Sequence, residues 1–397
     1  MPGFKKLLVI IACVAAIDVA AQQVTQQPQQ RPRRVGDTEQ TPDPKKSAQP
    51  DEVDEGDVIK TDTQLVSVPA VVTDASGRPL SGLKPENFKI VEDGQPQTIA
   101  NFGTTETPFE IALLLDTSGS TRDDVALIRS AANSFIEALR PGDRVGVVSF
   151  NQAKTFGDPV AAVEVLSPLT GDREALRTAI DNLGASQGTP YYDALERVAD
   201  GIFHDPPKED VRGRRAVVAL TDGVDSSSNS DFVTAKMKLT RAGIACYFIQ
   251  VNTEDFVEDR LMKDCQDDGQ LSLSKRQIER YRQIFFPKAK ADSFDSFCKM
   301  GPFERMSISR ELYNLARREM NDLSRGSGGR SFVAETLADA RAAFASVAAD
   351  IGTQYSLGYY PTNKARDGKF RSIKLEVRGV REKAQIRARD GYYAPKQ

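Results

Sequence analysis

The chain has 397 residues, of which 40% are hydrophobic and 27% are charged, so it can bury a core and divide into two or three domains. Its formal net charge of -3 is close to neutral. The sequence has no long Lys/Arg cluster and no basic stripe with interleaved aromatic residues. This pattern excludes nucleic acid as the expected partner.

The N-terminus has the features of a secretory signal peptide. Lys5 and Lys6 precede an apolar stretch that ends at Ile17, and small residues follow. We therefore predict a signal peptide at residues 1–21 and an exported protein, periplasmic or secreted. The competing interpretation is a membrane anchor, against which Asp18 and the short apolar run both count. Contact with a membrane is expected only through this segment, if it stays uncleaved.

Residues 22–57 form a different kind of sequence. They are rich in Gln, Pro and charged residues and contain almost no large apolar side chains. Such a segment cannot offset its ordering entropy by burial. We expect it to be a disordered linker.

Two segments, residues 58–107 and 354–397, have short stretches in which apolar and polar residues alternate. Ile373, Leu375 and Val377 are an example. A period of two is typical of strands with one buried face. Because isolated hairpins are marginally stable in water, each segment needs a partner sheet. We predict that the two segments pair in one β-sandwich-like domain.

Residues 108–353, between these segments, alternate strand-like and helix-like stretches. Four continuous apolar runs, IALLLD, RVGVVSF, RAVVALTD and ACYFIQV, are typical of strands buried on both faces. The helical stretches between them predict an α/β fold, a doubly wound and mostly parallel sheet. A polar insertion at residues 253–309 interrupts the pattern. The next helix is expected to start near Glu311, and a closing helix is expected from Ala338 to Ile351.

Polar residues follow the ends of two predicted strands. Asp116, Ser118 and Ser120 follow the first run, Asp222 follows the third, and Thr189 lies in a loop between them. In an open parallel sheet, ligands bind beyond the carboxyl ends of the strands. These side chains offer only oxygen donors, which favours a hard divalent cation. We predict a site for Mg²⁺, with Mn²⁺ or Ca²⁺ as alternatives, in which one coordination position stays open.

The motifs DTSGS, QGTPYYDAL and LTDG, in this order, resemble the metal-ion-dependent adhesion site of von Willebrand factor type A (VWFA) domains. The flanking β segments look like those of bacterial VWFA-related secreted proteins. The resemblance implies that Ser118, Ser120 and, in one state, Thr189 contact the metal, while Asp116 and Asp222 act directly or through water. It also implies a non-enzymatic interaction module whose protein partner supplies an Asp or Glu carboxylate to the ion.

Two other functions remain open. An Asp at the end of a first parallel strand is also where aspartyl-phosphate enzymes place their nucleophile, which would make the protein a metal-dependent phosphoryl hydrolase. Those enzymes typically need a second carboxylate two residues later, where this chain has Ser118. The other alternative is a structural scaffold that binds metal only for stability.

Several residues near these motifs have simpler interpretations. Asp225 is expected to be a solvated loop residue or an outer partner of the site. Tyr191 and Tyr192 either shape the rim of the site or pack a helix. His204 is the only histidine, and it lies in a turn-rich surface segment, so we expect no catalytic triad.

The four cysteines are interpreted from the expected export. Cys13 would leave with the signal peptide, and Cys246 lies in a predicted core strand as a free thiol. Cys265 and Cys298 flank the polar insertion. Because export permits disulfides, we predict that these two pair.

Overall fold

The computed structural model describes residues 65–104, 106–118, 125–153, 160–186, 188–206, 211, 213–262, 273–288, 300–380 and 383–396. The predicted signal peptide, the linker and the predicted Cys265–Cys298 disulfide all lie outside these ranges. Thr61–Gln397 form one compact unit. Within the described ranges, no helix is both long enough and apolar enough to cross a membrane.

The strands and helices follow in chain order. The strands are β1 (Val66–Thr73), β2 (Phe88–Glu92), β3 (Gln95–Gln97), β4 (Ile99–Gly103), β5 (Glu110–Leu115), β6 (Arg144–Ala153), β7 (Val160–Thr170), β8 (Arg215–Thr221), β9 (Ala245–Val251), β10 (Arg330–Ala334), β11 (Tyr355–Tyr359), β12 (Phe370–Val377), β13 (Gln385–Ala388) and β14 (Gly391–Tyr393). The helices are α1 (Val125–Ala138), α2 (Arg173–Asp181), α3 (Tyr191–Arg197), α4 (Phe232–Ala242), α5 (Glu254–Met262), α6 (Lys275–Phe285), α7 (Pro302–Ser327) and α8 (Ala340–Gly352).

The central sheet has the strand order β10-β9-β8-β5-β6-β7, with every neighbouring pair parallel except β6 and β7. All residues of β5, β8 and β9 are buried, as their continuous apolar sequences predict. One apolar cluster lies under α1, α2 and α8, and another lies under α3, α4 and α7. The predicted doubly wound α/β fold is confirmed.

One edge strand of this sheet is missing from the sequence interpretation. β7 contains Glu164 and Pro168, which weaken an apolar strand pattern. An edge strand pairs on one side only, so it tolerates a proline that a central strand would exclude. The antiparallel edge therefore had no clear signal in the sequence.

The insertion is more ordered than its polar composition predicts. The helix expected to start near Glu311 begins at Pro302, because the end of the insertion supplies its first turns. We call α5, α6 and the part of α7 before Glu311 the helical insertion. Its apolar residues form a separate buried cluster with neighbouring parts of the fold, whose members are Val224, Leu261, Ile278, Tyr281, Ile308, Leu312, Tyr313 and Ala316.

The two flanking segments fold together. They form two four-stranded sheets, with the orders β13-β1-β11-β4 and β14-β12-β2-β3. β1, from before the central sheet, pairs with β11 and β13 from after it, and β2 pairs with β12. A shared apolar core includes Val68, Ile90, Leu357 and Ile373. These are the pairings that the predicted β-sandwich-like domain requires.

A single buried arginine holds the two chain crossings between this β domain and the central sheet. The guanidinium of Arg214 donates to the carbonyls of Thr104 and Thr107 on the incoming chain. It also donates to the carbonyls of Ile351 at 3.2 Å and Gln354 at 2.9 Å on the outgoing chain. Because Arg214 immediately precedes β8, both crossings lie at the end of the sheet opposite the predicted metal site.

Candidate metal centre

Two buried aspartates follow neighbouring strands of the central sheet. Asp116 comes directly after β5 and Asp222 directly after β8, and these strands pair in parallel. The backbone N–H of Asp116 donates to the carbonyl of Leu220 at 3.0 Å, which extends the pairing to the first of these carboxylates. Only 1% of Asp116 and 7% of Asp222 is exposed. The strand ends therefore place two carboxylates together away from bulk water.

The carboxylate of Asp116 is held by neutral donors. The backbone N–H of Ser118 donates to Oδ1 at 3.0 Å, and the hydroxyl of Thr221 donates to Oδ2 at 2.6 Å. Burial, followed by the negative charge of Asp222, raises the pKa of Asp116 to about 7. The hydrogen bonds from Ser118 and Thr221 orient the carboxylate and lower its pKa, but they do not offset the cost of burying its charge.

The carboxylate of Asp222 is held in a similar way from other parts of the chain. The backbone N–H of Val224 donates to Oδ1 at 2.9 Å, and the hydroxyl of Thr253 donates to Oδ2 at 2.7 Å. The phenol oxygen of Tyr313 lies 2.8 Å from the hydroxyl oxygen of Thr253. Burial and then the charge of Asp222 raise the pKa of Tyr313 well above its ordinary value. The Tyr313 hydroxyl therefore stays protonated.

Backbone hydrogen bonds join the loop that carries Thr189 to the loop after Asp116 and to the loop after Asp222. The backbone N–H of Ser186 donates to the carbonyl of Thr117 at 2.9 Å. On the other side, the N–H of Thr189 donates to the hydroxyl of Ser226 at 2.8 Å, and the N–H of Ser226 donates back to the carbonyl of Thr189 at 3.0 Å. These bonds hold Thr189 beside the two carboxylate loops.

The structure thus brings four predicted ligands, Asp116, Ser118, Thr189 and Asp222, to one edge of the sheet. The fifth, Ser120, lies outside the described residues. Among the described residues, no group of three or more His, Cys, Asp or Glu could hold a metal. The predicted site has only two carboxylates and otherwise hydroxyl ligands, so it would not count as such a group. Metal ligation by these five residues remains a prediction.

Asp225 differs from its expected role as a solvated residue. It is 4% exposed, and its Oδ2 accepts from the backbone N–H groups of Tyr191 at 3.0 Å and Tyr192 at 3.4 Å. The hydroxyl of Ser228 also donates to Oδ2. Pro190, at the N-cap of α3, supplies no side-chain cap, so Asp225 satisfies the free amides of the first turn. It therefore anchors the helix that follows Thr189.

The two tyrosines pack a helix and do not line a rim, since both are almost completely buried. The hydroxyl of Tyr192 donates to Oε2 of Glu319 at 2.7 Å, and Arg280 pairs with the same carboxylate at 2.7 Å. The guanidinium of Arg280 also lies 4.7 Å from the centre of the Tyr192 ring. Because Arg280 belongs to α6, the helical insertion is anchored beside the helix that follows the Thr189 loop.

Three residues of the site were missed by sequence reasoning: Thr221, Thr253 and Tyr313. Thr221 had a weak signal, since a hydroxyl in an otherwise apolar central strand needs a buried partner. Thr253 stands at the start of the polar insertion, and nothing in the local pattern marks it as a partner of Asp222. Tyr313 had no usable signal, because it lies in the helix predicted after the insertion, where it looks like any residue that packs a helix.

Two expectations outside the site are confirmed for residues that the structure describes. Cys246 is buried and free, and burial raises the pKa of its thiol to about 12. His204 is exposed.

One region of the chain matches a known protein family. A family model for the von Willebrand factor type A domain matches residues 111–224, from the start of β5 to just beyond Asp222. None of the curated proteins searched matches the chain.

Three solved structures show weak similarity. Protein BatB from Bacteroides thetaiotaomicron is 16% identical, with 61% of this chain and 98% of that one covered and a TM-score of 0.37. A von Willebrand factor type A protein from Catenulispora acidiphila is 12% identical, with 85% and 75% covered and a TM-score of 0.39. Proximal thread matrix protein 1 from the mussel byssus is 19% identical, with 38% of this chain covered and a TM-score of 0.31. The chain spans only 39% of the length of that mussel protein.

Likenesses of this strength carry no argument about function, so the family assignment rests on the family model together with the sheet and loops described above. The region that carries Asp116, Ser118, Thr189 and Asp222 matches the family model of the von Willebrand factor type A domain.

Proposed function

We propose that this protein is a metal-dependent protein-interaction module of the bacterial envelope or secreted space. In this proposal, Asp116, Ser118, Ser120, Thr189 and Asp222 hold Mg²⁺, or alternatively Mn²⁺ or Ca²⁺. A partner protein completes the coordination with an Asp or Glu carboxylate. The family supports an interaction role in general terms, and the metal, the type of partner and the location are the parts proposed.

The pair of buried aspartates carries the proposal. Asp116 and Asp222 are both buried and lie close enough for the charge of Asp222 to raise the pKa of Asp116. Two buried negative charges are costly unless a positive charge compensates them. A divalent cation bound between the loops would supply that charge. The residues therefore fit a hard metal ion.

The hydroxyl ligands explain why the ion would need a partner. Ser118, Ser120 and Thr189 would contribute neutral oxygens, so the two aspartates would be the only charged ligands from this chain. Mg²⁺ prefers six oxygen ligands and often keeps a position for water or substrate. An ion with such a shell attracts a further anionic oxygen. A carboxylate on a protein partner has this chemistry.

The test uses the chain without residues 1–21, immobilised and exposed to envelope extract with either Mg²⁺ or a chelator. Proteins retained with Mg²⁺ and released by the chelator are expected for the wild type. Asp116→Ala/Ser118→Ala should retain none of them. Asp181→Ala, which removes an exposed carboxylate at the end of α2, is the matched control and should behave as the wild type.

The enzymatic alternative has its own test. Hydrolysis of a generic phosphate ester by the wild type, lost in Asp116→Ala and retained in Asp181→Ala, would contradict the interaction proposal. We expect no turnover above the rate of the Asp116→Ala protein.

A further inference from the structure

We infer that Thr253 and Tyr313 are positioning residues that fix the Asp222 carboxylate for the metal ion. The inference rests on the proposed function and adds to it, because it assigns a role at the metal centre to two residues that border the helical insertion. Neither residue belongs to the predicted ligand set.

The hydrogen bonds have a defined direction. The Thr253 hydroxyl has a single proton, and it donates that proton to Oδ2 of Asp222 at 2.7 Å. The hydroxyl of Tyr313, 2.8 Å from the Thr253 oxygen, must therefore be the donor in the second bond. The two bonds form a relay that begins at Tyr313 and ends on one carboxylate oxygen.

This relay and one backbone amide together define the plane of the carboxylate. The N–H of Val224 donates to Oδ1, while Thr253 donates to Oδ2, so both oxygens of Asp222 are held. Each carboxylate oxygen can accept a second interaction. An ion, or water bound to an ion, would therefore meet a carboxylate whose orientation is already fixed. Such outer partners of a metal ligand orient it and raise the affinity for the metal.

The helical insertion holds the donors of this relay in place. Tyr313 and Val224 belong to one buried cluster, which α5 and α6 complete with Leu261 and Ile278. Tyr313 is 4% exposed and Thr253 is 6% exposed, so water does not compete freely for their hydroxyls. A disturbance of the insertion would therefore move the donors of Asp222.

Asp116 is oriented by a different part of the fold. One of its side-chain donors, Thr221, is the last residue of the central strand β8. The sheet itself positions that donor, without help from the insertion. The two aspartates consequently depend on separate supports, and only Asp222 should respond to changes in the insertion.

The test measures the affinity of the chain without residues 1–21 for Mn²⁺ by calorimetry. Thr253→Val removes the donor with little change in shape, and we expect it to weaken Mn²⁺ binding by about tenfold or more. Thr253→Ser retains the hydroxyl and should bind nearly as the wild type does. Tyr313→Phe should have a smaller effect. Adding Tyr313→Phe to Thr253→Val should weaken binding little further, because the relay is already broken.

A matched control separates positioning from a general loss of stability. Tyr355→Phe removes another buried tyrosine hydroxyl, one that donates to the carbonyl of Leu80 at 2.8 Å in the β domain. It should lower the thermal unfolding temperature and leave the affinity for Mn²⁺ unchanged. If Tyr355→Phe weakened Mn²⁺ binding as much as Thr253→Val, the positioning role would be overturned.

A second readout needs no metal. Amide hydrogen exchange at Val224, followed by NMR in the presence of a chelator, should be faster in Thr253→Val, because Asp222 is then held less firmly. Wild-type Mn²⁺ affinity together with unchanged Val224 exchange in Thr253→Val overturns this inference alone. A wild-type protein that binds no Mn²⁺ overturns the proposed function and this inference together.

Discussion

Asp116 and Asp222 lie beside each other at the ends of paired strands, and burial together with the negative charge of Asp222 raises the pKa of Asp116 to about 7. Without a cation, a folded protein at neutral pH must tolerate two buried carboxylates whose charges repel. This cost is the physical reason why the site should favour a divalent ion, and it makes the stability of the metal-free protein depend on pH.

The first prediction concerns this stability. The pKa of Asp116 is raised from 3.8 in the reference state to about 7, so the metal-free folded state binds more protons than the unfolded state between these values. The stabilisation that comes from protonation of Asp116 is present at low pH. It is lost as the pH rises through 7, by about 1.4 kcal/mol per pH unit at most. Asp116→Asn removes this dependence.

Thermal unfolding in a chelator at pH 5 and pH 8 measures the effect. Between these two conditions the wild type should lose more stability than Asp116→Asn, and Asp181→Asn should follow the wild type. Equal pH dependence in the wild type and Asp116→Asn would show that Asp116 does not carry the raised pKa.

The second prediction concerns metal affinity. A protonated Asp116 must release its proton before it can serve as a charged ligand. Affinity for Mg²⁺ should therefore rise as the pH increases toward 7, by about tenfold per pH unit at most, and level off above it. Calorimetry in two buffers of different ionisation enthalpy should detect the released proton. Affinity that stays constant between pH 6 and pH 8 would contradict this expectation.

The sequence was informative about the sheet and about the positions of the two aspartates. β5, β8 and β9 are continuous apolar runs because helices cover both faces of the sheet, and such runs are visible without any structure. In a parallel sheet the carboxyl ends of neighbouring strands meet at one edge. The closeness of Asp116 and Asp222 follows from that rule.

The supports of the site were less visible. Thr253 and Tyr313 are separated by 60 positions, and only tertiary packing brings their hydroxyls together. The insertion reads as polar because its apolar side chains are few, although Ile278 and Tyr281 share one buried side of α6. Asp225 resembles any acidic loop residue until the start of α3 is seen to need a cap. These contacts depend on long-range packing, which local patterns do not encode.

The third prediction tests the junction between the β domain and the central sheet. Arg214→Met removes donors to four carbonyl groups, two of which belong to the buried residues Ile351 and Gln354, so the free energy of unfolding should fall by about 2 kcal/mol or more. Arg214→Lys keeps the charge but loses the forked geometry, and it should recover only part of the loss. Urea unfolding measures both changes.

Metal affinity provides the control for the junction, which lies at the end of the sheet opposite Asp116 and Asp222. It should be the same in Arg214→Lys as in the wild type. A stability change below about 0.5 kcal/mol, the usual range for surface substitutions, in Arg214→Met would show that the arginine does not hold the crossings.

The fourth prediction is the disulfide between Cys265 and Cys298, which would close a loop within the insertion and stabilise it by about 3 to 4 kcal/mol on the chain-entropy model. Cys246 should stay reduced, since it is buried and its thiol has a pKa raised to about 12. Mass mapping of the chain without residues 1–21, produced in an oxidising compartment and kept without reductant, should find one linked pair and one free thiol. Free thiols at both Cys265 and Cys298 would rule out the disulfide.

Diffraction from crystals grown with Mn²⁺ tests the proposed metal site most directly, because the anomalous signal locates the ion without assumptions about its ligands. The proposal predicts one strong peak at the carboxyl ends of β5 and β8, about 2.0 to 2.2 Å from the hydroxyl oxygens of Ser118 and Ser120 if the ion binds as Mg²⁺ does. Crystals of Ser118→Ala/Ser120→Ala should lack the peak. A peak elsewhere, or an equal peak in the double variant, would contradict the proposed metal centre.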